Sequence, residues 1–255
     1  MISSRQNAHI QALKKLWGRS SVRREMGEAV LIGHRFISDF LDRGVGEVKR
    51  IYGSGSDLEV LGAKFSGPLH AVDPGLLGTV FGMGSDVCSV AVIGRSVPEL
   101  EGPVADQKAV VYLDGVQDPK NLGAIARNAA AFGVELVVLG PGSADPYHPD
   151  SLRAMAGLVE LVSFASVASS AELVGFLSAG FTPYFVTPMA QVSISDQVPR
   201  RPALLLLGGE AGFQSDFDEP FRVCPVRISM APHVESLNVA VTSGLVFSWL
   251  GLTSF

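Results

Sequence analysis

A chain of 255 residues is long enough to bury one large or two modest cores. Hydrophobic residues make up 47% and charged residues 18%, which excludes a disordered chain, and the longest apolar runs, near 87–93 and 203–207, fall short of a membrane span. The net charge is −5, but residues 1–50 hold ten Lys or Arg against five acids, so the first part is suited to a polyanionic partner.

Residues 5–17 predict an amphipathic helix with Ile10, Leu13, Leu16 and Trp17 on its apolar side. Arg19 to Arg24 read as a basic loop, and 29–32 as a strand. Residues 34–41 read as a helix closed by Gly44, 47–52 as a strand, and 53–56 as a turn. A strand at 69–72, a helix at 76–81 and a strong strand at 87–93 complete a small α/β layer domain. The segment 95–107, with Pro98, Gly102, Pro103 and several acids, reads as a linker. The expected division is therefore 1–97, a linker at 98–107, and 108–255. The first fifteen residues lack an apolar signal core, so a cytoplasmic or organelle-matrix location is expected. Cys88 and Cys224 suggest buried thiols, neither a disulfide framework nor a zinc site.

The second part opens on LDGVQDPKNLGAIARNAAAFG, from Leu113 to Gly133. An apolar strand from Val110 is followed by turn residues, then by Asn121 as a helix cap, then by helical spacing. Leu122, Ile125, Ala129 and Phe132 form the packing stripe; Gly123, Arg127 and Ala130 form another, with room beside the guanidinium. Strands follow at 134–139, 182–186, 203–207 and 222–228, the last at an edge or bulge because of Pro225. Helices are expected at 151–156 and 170–179, with 158–164 extended. The last helix, 238–250, is apolar on nearly every side, which predicts deep burial or a subunit interface.

The pattern DPxNxGAIxRxAxxFG resembles the first motif of the SpoU, or TrmH-like, RNA ribose methyltransferases of the SPOUT superfamily. LGGEAG at 207–212 resembles the family's second motif. ISM at 228–230 with ESLNVA at 235–240 resembles its third, with Ser229 in place of the usual Pro. The front part resembles the ribosomal-protein-like substrate-binding domain found ahead of such catalytic domains, although Ile32-Gly33 stands where relatives carry Glu-Gly. The resemblance implies an α/β protein with a small N-terminal RNA-binding domain and a C-terminal SPOUT domain, whose parallel sheet carries a deep trefoil knot. It also implies a homodimer joined through the C-terminal helix.

By the same resemblance the cofactor is S-adenosyl-L-methionine, held near Leu207, Gly208, Gly209, Ile228, Met230 and Leu237. Asn121, Arg127, Glu210, Ser236 and Asn238 become the catalytic set, with Glu210 pairing with Arg127 and Ser236 also suited to capping the last helix. Arg19, Arg23 and Arg24 become candidate RNA contacts. The implied reaction is methyl transfer to a ribose 2′-hydroxyl, in ribosomal RNA by preference, with transfer RNA or a non-catalytic RNA-binding protein as alternatives. No metal is called for: the sulfonium activates the methyl, and His9, His34, His70, His148 and His233 are scattered. A Rossmann-type methyltransferase would want GxGxxG after its first strand, which DGVQDPKNLG lacks.

Overall fold

The computed structural model describes residues 1–84, 87–103, 107–215, 217 and 221–253. The chain divides into two units, Met1–Ser96 with Tyr147–Glu160, and Val97–Pro146 with Leu161–Phe255.

In the first unit, helix α1 (Ala8–Gly18) buries Ile10, Leu13 and Leu16, as their spacing predicts. The basic segment after it is not a loop but helix α2 (Ser20–Met26). Arg23 lies inside it, 2% exposed. Its Nη1 donates to the carbonyls of Leu16 and Trp17 at 2.8 and 3.0 Å. Carbonyls in the last turn of a helix have no partner within the helix, so a guanidinium there replaces lost water contacts.

Strand β1 (Glu28–Ile32), helix α3 (His34–Arg43), strand β2 (Val48–Gly53), helix α4 (Gly55–Gly62), strand β3 (Leu69–Ala71), helix α5 (Leu76–Phe81) and strand β4 (Ser89–Gly94) follow. The sheet order is β1-β4-β2-β3, antiparallel except for the β2/β3 pair. Alternation sends Val30, Tyr52, Val90 and Val92 toward α1 and α5. The expected turn at 53–56 instead opens α4, which packs against α3 and β2 and buries Leu61. Glu28 of β1 receives a bidentate Arg50 from β2 at 3.0 and 2.7 Å, so a nearly buried carboxylate is paired. The Arg50 guanidinium holds that carboxyl below its usual range against the opposing pull of burial.

In the second unit, strand β5 (Ala109–Asp114) leads into helix α6 (Pro119–Phe132) and strand β6 (Leu136–Leu139). The cap of α6 is Asp118, whose Oδ1 accepts from Lys120 N at 2.8 Å, with Pro119 at the first helical position. Asn121 is therefore not the cap, and its side chain is available elsewhere.

Helix α7 (Pro149–Met155) returns to the first unit, where it packs against β1. The segment Tyr147–Glu160 thus departs from the expected division at 98–107. Its ties are polar and steric. Arg43 donates to Glu160 Oε1 and to the carbonyl of Gly157, and Gly157 lies against Phe36. Instead of a single extended stretch at 158–164, a 3-10 turn (Val159–Leu161) precedes strand β7 (Ser163–Ser166).

Helix α8 (Val174–Ser178), strand β8 (Thr182–Val186), strand β9 (Ala203–Gly208), strand β10 (Cys224–Val226) and helix α9 (Val239–Leu250) complete the unit. Its six strands run in the order β10-β8-β9-β5-β6-β7, and every adjacent pair is parallel. The central β5 and β9 are largely apolar and buried on both faces, which two helical layers require. Helices α6 and α9 pack together on one face. Leu173, Phe176, Phe181, Phe217 and Phe221 fill the other. Strand β10, with Pro225, takes the edge as predicted. Cys224 there is exposed, contrary to the expectation of a buried thiol.

Candidate functional site

Open parallel sheets collect ligands at the carboxyl ends of their strands, where the loops converge. A cavity of about 430 Å³ lies at that edge of the second unit, beyond β8, β9 and β10. Its size suits a small organic ligand. Leu207, Gly208, Gly209, Ile228, Met230 and Leu237 all line it, as do Glu210, Ser236 and Asn238. Val186, Thr187 and Pro188 at the end of β8, Gly212 and Phe213 after β9, and Val239 and Thr242 of α9 complete the wall; the segment after β8 carries no sequence signal that would have marked it.

Two glycines set the backbone there. A Cβ on Gly208 would lie 2.9 Å from the carbonyl carbon of Gly212, and one on Gly209 would lie 2.9 Å from that of Gly115. Only glycine lets the loop after β9 lie this close to the turn after β5. Gly209 N donates to Asp114 O at 2.9 Å, closing that approach.

Three side chains from distant segments meet at the mouth of the cavity. Asn121 Nδ2 donates to Glu210 Oε1, and Asn238 Nδ2 donates to Asn121 Oδ1 at 3.0 Å. Asn238 also caps α9, its Oδ1 accepting from Ala240 N at 2.8 Å. Ser236 does not cap; it is exposed on the cavity wall. The chain Glu210–Asn121–Asn238 fixes the amide orientations, because each amide has a donor and an acceptor end to satisfy. One step further along the helices, Asn128 Nδ2 donates to Ala240 O at 2.8 Å and Ser243 Oγ at 3.0 Å, stitching α6 to α9.

Arg127 is placed differently from the expectation. Glu210 bonds Asn121, and among the described residues no ion pair joins Glu210 to Arg127. Arg127 is exposed on α6 and is not part of the cavity lining. It sits six residues beyond Asn121, roughly 9 Å along the helix axis at the usual rise. Its side chain is exposed to solvent. In the first unit Arg19 and Arg24 are exposed, whereas the buried Arg23 is withdrawn from the candidate RNA contacts.

The fold of the whole chain is that of known SPOUT methyltransferases. It superposes on the SpoU methyltransferase AviRb from Streptomyces viridochromogenes with a TM-score of 0.82 and 24% identity, covering 96% of each chain. An AdoMet-bound rRNA methyltransferase from Sinorhizobium meliloti gives the same TM-score at 23% identity, over 98% of this chain and 96% of that one. The family model described as SpoU rRNA Methylase matches residues 108–248, and the chain belongs to that family. It is 31% identical over 212 residues to an uncharacterized tRNA/rRNA methyltransferase of Mycobacterium tuberculosis, covering 81% of this chain and 70% of that protein. It is 34% identical over 151 residues to the 23S rRNA (guanosine-2′-O-)-methyltransferase RlmB of Xanthomonas axonopodis, covering 58% of this chain and 61% of that protein.

Proposed function

We propose that the protein transfers the methyl group of S-adenosylmethionine to a ribose 2′-hydroxyl in ribosomal RNA. As a member of the SpoU family it is an S-adenosylmethionine-dependent RNA ribose-2′-O-methyltransferase. The observation that carries the reading is the convergence of all three motif segments on one cavity: Asn121, Glu210 and Asn238 are hydrogen-bonded to one another at its mouth. Ribosomal RNA is preferred over transfer RNA because RlmB, which methylates guanosine in 23S rRNA, is among the relatives.

The cavity fits the cofactor in size, and its backbone-rich wall at Leu207, Gly208, Gly209, Ile228, Met230 and Leu237 offers peptide groups to an adenine edge. When bound, S-adenosylmethionine supplies a methyl already activated by its sulfonium. The protein's share is alignment, which can lower a barrier substantially by itself. Asn121 and Asn238, held by each other and by Glu210, orient the incoming ribose. Ser236 offers a hydroxyl on the wall. Arginine keeps its charge in proteins, so we read Arg127 as the cation that receives the developing alkoxide or the adjacent phosphate, with water taking the proton.

Three further features belong to the proposal. The SPOUT fold brings a trefoil knot in the carboxyl half. Helix α9 leaves Val241 53% and Leu245 43% exposed one turn apart, an apolar face suited to a second copy of the chain. The reaction takes place in the cytoplasm or an organelle matrix; among the described residues no helix is long and apolar enough to cross a membrane.

The test is transfer of labelled methyl from S-adenosylmethionine to ribosomal and transfer RNA, followed by digestion to nucleosides. The expected product is a 2′-O-methylnucleoside from ribosomal RNA. Arg127→Ala should abolish transfer while leaving cofactor affinity within about twofold, since the side chain lies outside the cavity lining. Label in a base, label only in transfer RNA, or full activity in Arg127→Ala would each overturn the corresponding part.

A further inference from the structure

The loop after β9 walls the cofactor cavity through Gly208, Gly209, Glu210, Gly212 and Phe213. Within the loop, an isolated antiparallel bridge joins Gly209 and Gly212, with Gly212 N donating to Gly209 O at 3.0 Å. Both ends of the loop are held by one residue that none of the motif roles uses. Asp114, the last residue of β5, is 1% exposed. Its carbonyl accepts from Gly209 N at 2.9 Å, at the start of the loop. Its carboxylate reaches the far end. Oδ2 accepts from Gln214 N at 2.6 Å and Ser215 N at 2.7 Å. Oδ1 accepts from Ser215 Oγ at 2.9 Å and from Tyr112 OH at 3.1 Å.

We propose that Asp114 is the positioning residue for the cofactor: its buried carboxylate clamps the loop 209–215 in the conformation that binds S-adenosylmethionine. A carboxylate is required because all four side-chain contacts are donors. Bonds to an ionised acceptor are about twice as strong as neutral ones, and a buried carboxylate without its donors is costly. Tyr112 is kept as the donor phenol, its hydroxyl pushed up to about 12 chiefly by burial and further by the Asp114 charge. Gly115 next to it, at φ +66°, lies under the Gln214 side chain and leaves the far end of the loop room to seat.

The inference rests on the cavity being the cofactor site, and the test separates the two. Cofactor binding is measured by calorimetry on the full chain, alongside steady-state kinetics and thermal melting. Wild-type protein that fails to bind S-adenosylmethionine would sink the functional reading. If it binds, Asp114 is tested alone. Asp114→Asn should fold, since an amide can accept from the two backbone donors while the hydroxyls turn to accept from its NH₂. It should weaken cofactor binding about tenfold, because the apparent affinity falls with the fraction of loops held competent. The KM for S-adenosylmethionine should rise, with kcat and the KM for RNA little changed. Asp114→Ala should weaken binding further, so that Asn partly rescues Ala. Ser215→Ala, which removes one donor and keeps the carboxylate, should give a smaller loss of about threefold on the same reasoning. Unchanged cofactor affinity in Asp114→Asn and Ser215→Ala, or equal losses in kcat and RNA binding, would overturn the assignment.

Discussion

The close approach of Gly209 to Gly115 makes Gly209→Ala a sharp perturbation. The added methyl would sit 2.9 Å from the carbonyl carbon of Gly115 and closer still to its oxygen. Ordinary contact begins near 3.4 Å and the oxygen would lie at 2.3 Å, so the two backbones must part by about an ångström. Neither can swing aside as a side chain would, because Gly209 N is bonded to Asp114 O across the same gap. Overpacking of this sort costs about 1–3 kcal/mol. At this chain length that is a fall of roughly 3–10 °C in melting temperature. The same displacement moves the cavity wall, so cofactor affinity should fall by about tenfold or more. Differential scanning calorimetry and cofactor titration read both effects. Gly18→Ala is the control: a Cβ there meets nothing within 4 Å, and little change is expected. A Gly209→Ala protein that melts and binds like wild type would refute the close-packing argument.

Two other outcomes follow from features elsewhere in the fold. Glu28 is held below its ordinary value by Arg50, so the unfolded chain takes up its proton first as pH falls below about 4.5. That contribution is present above this value and is lost through it and below; denaturant midpoints of Arg50→Met should trail wild type most near pH 7 and converge toward pH 3, and a gap independent of pH would count against the pair. Leu245→Lys on the exposed face of α9 should convert the proposed dimer to a monomer by light scattering, and a mass unaffected by the change would count against that face as the interface.

The catalytic half was the more legible in sequence, and the reason is physical. Strands β6 and β9 are aliphatic runs, and β5 is apolar up to Asp114, because both faces are covered; such runs have few other readings. The lining residues Leu207 to Gly209, Ile228, Met230 and Leu237 sit in short motif segments, the first of them rich in glycine. What stayed hidden depends on distant partners. Arg23 reads as a basic surface residue until the end of α1 is brought against it. Glycine and serine at 53–56 carry turn propensity, yet α4 forms because Leu61 is buried. Asn121 looks like a cap since caps favour Asn, but Asp118 three residues earlier takes that role beside Pro119. The resemblance pairs Glu210 with Arg127, whereas the meeting of α6 with the loop after β9 delivers Asn121.

The excursion Tyr147–Glu160 means that the first unit is not a contiguous cassette. A fragment stopping at Ser96 would lack Glu160, the carboxylate that Arg43 holds, and Tyr147, whose hydroxyl accepts from Ser96 N and whose ring underlies Arg95. Because that excursion is spliced between β6 and β7 of the other half, neither half can be grafted onto a foreign partner by a single cut. Exchanging the first unit for another domain would require two junctions, one of them between β6 and β7.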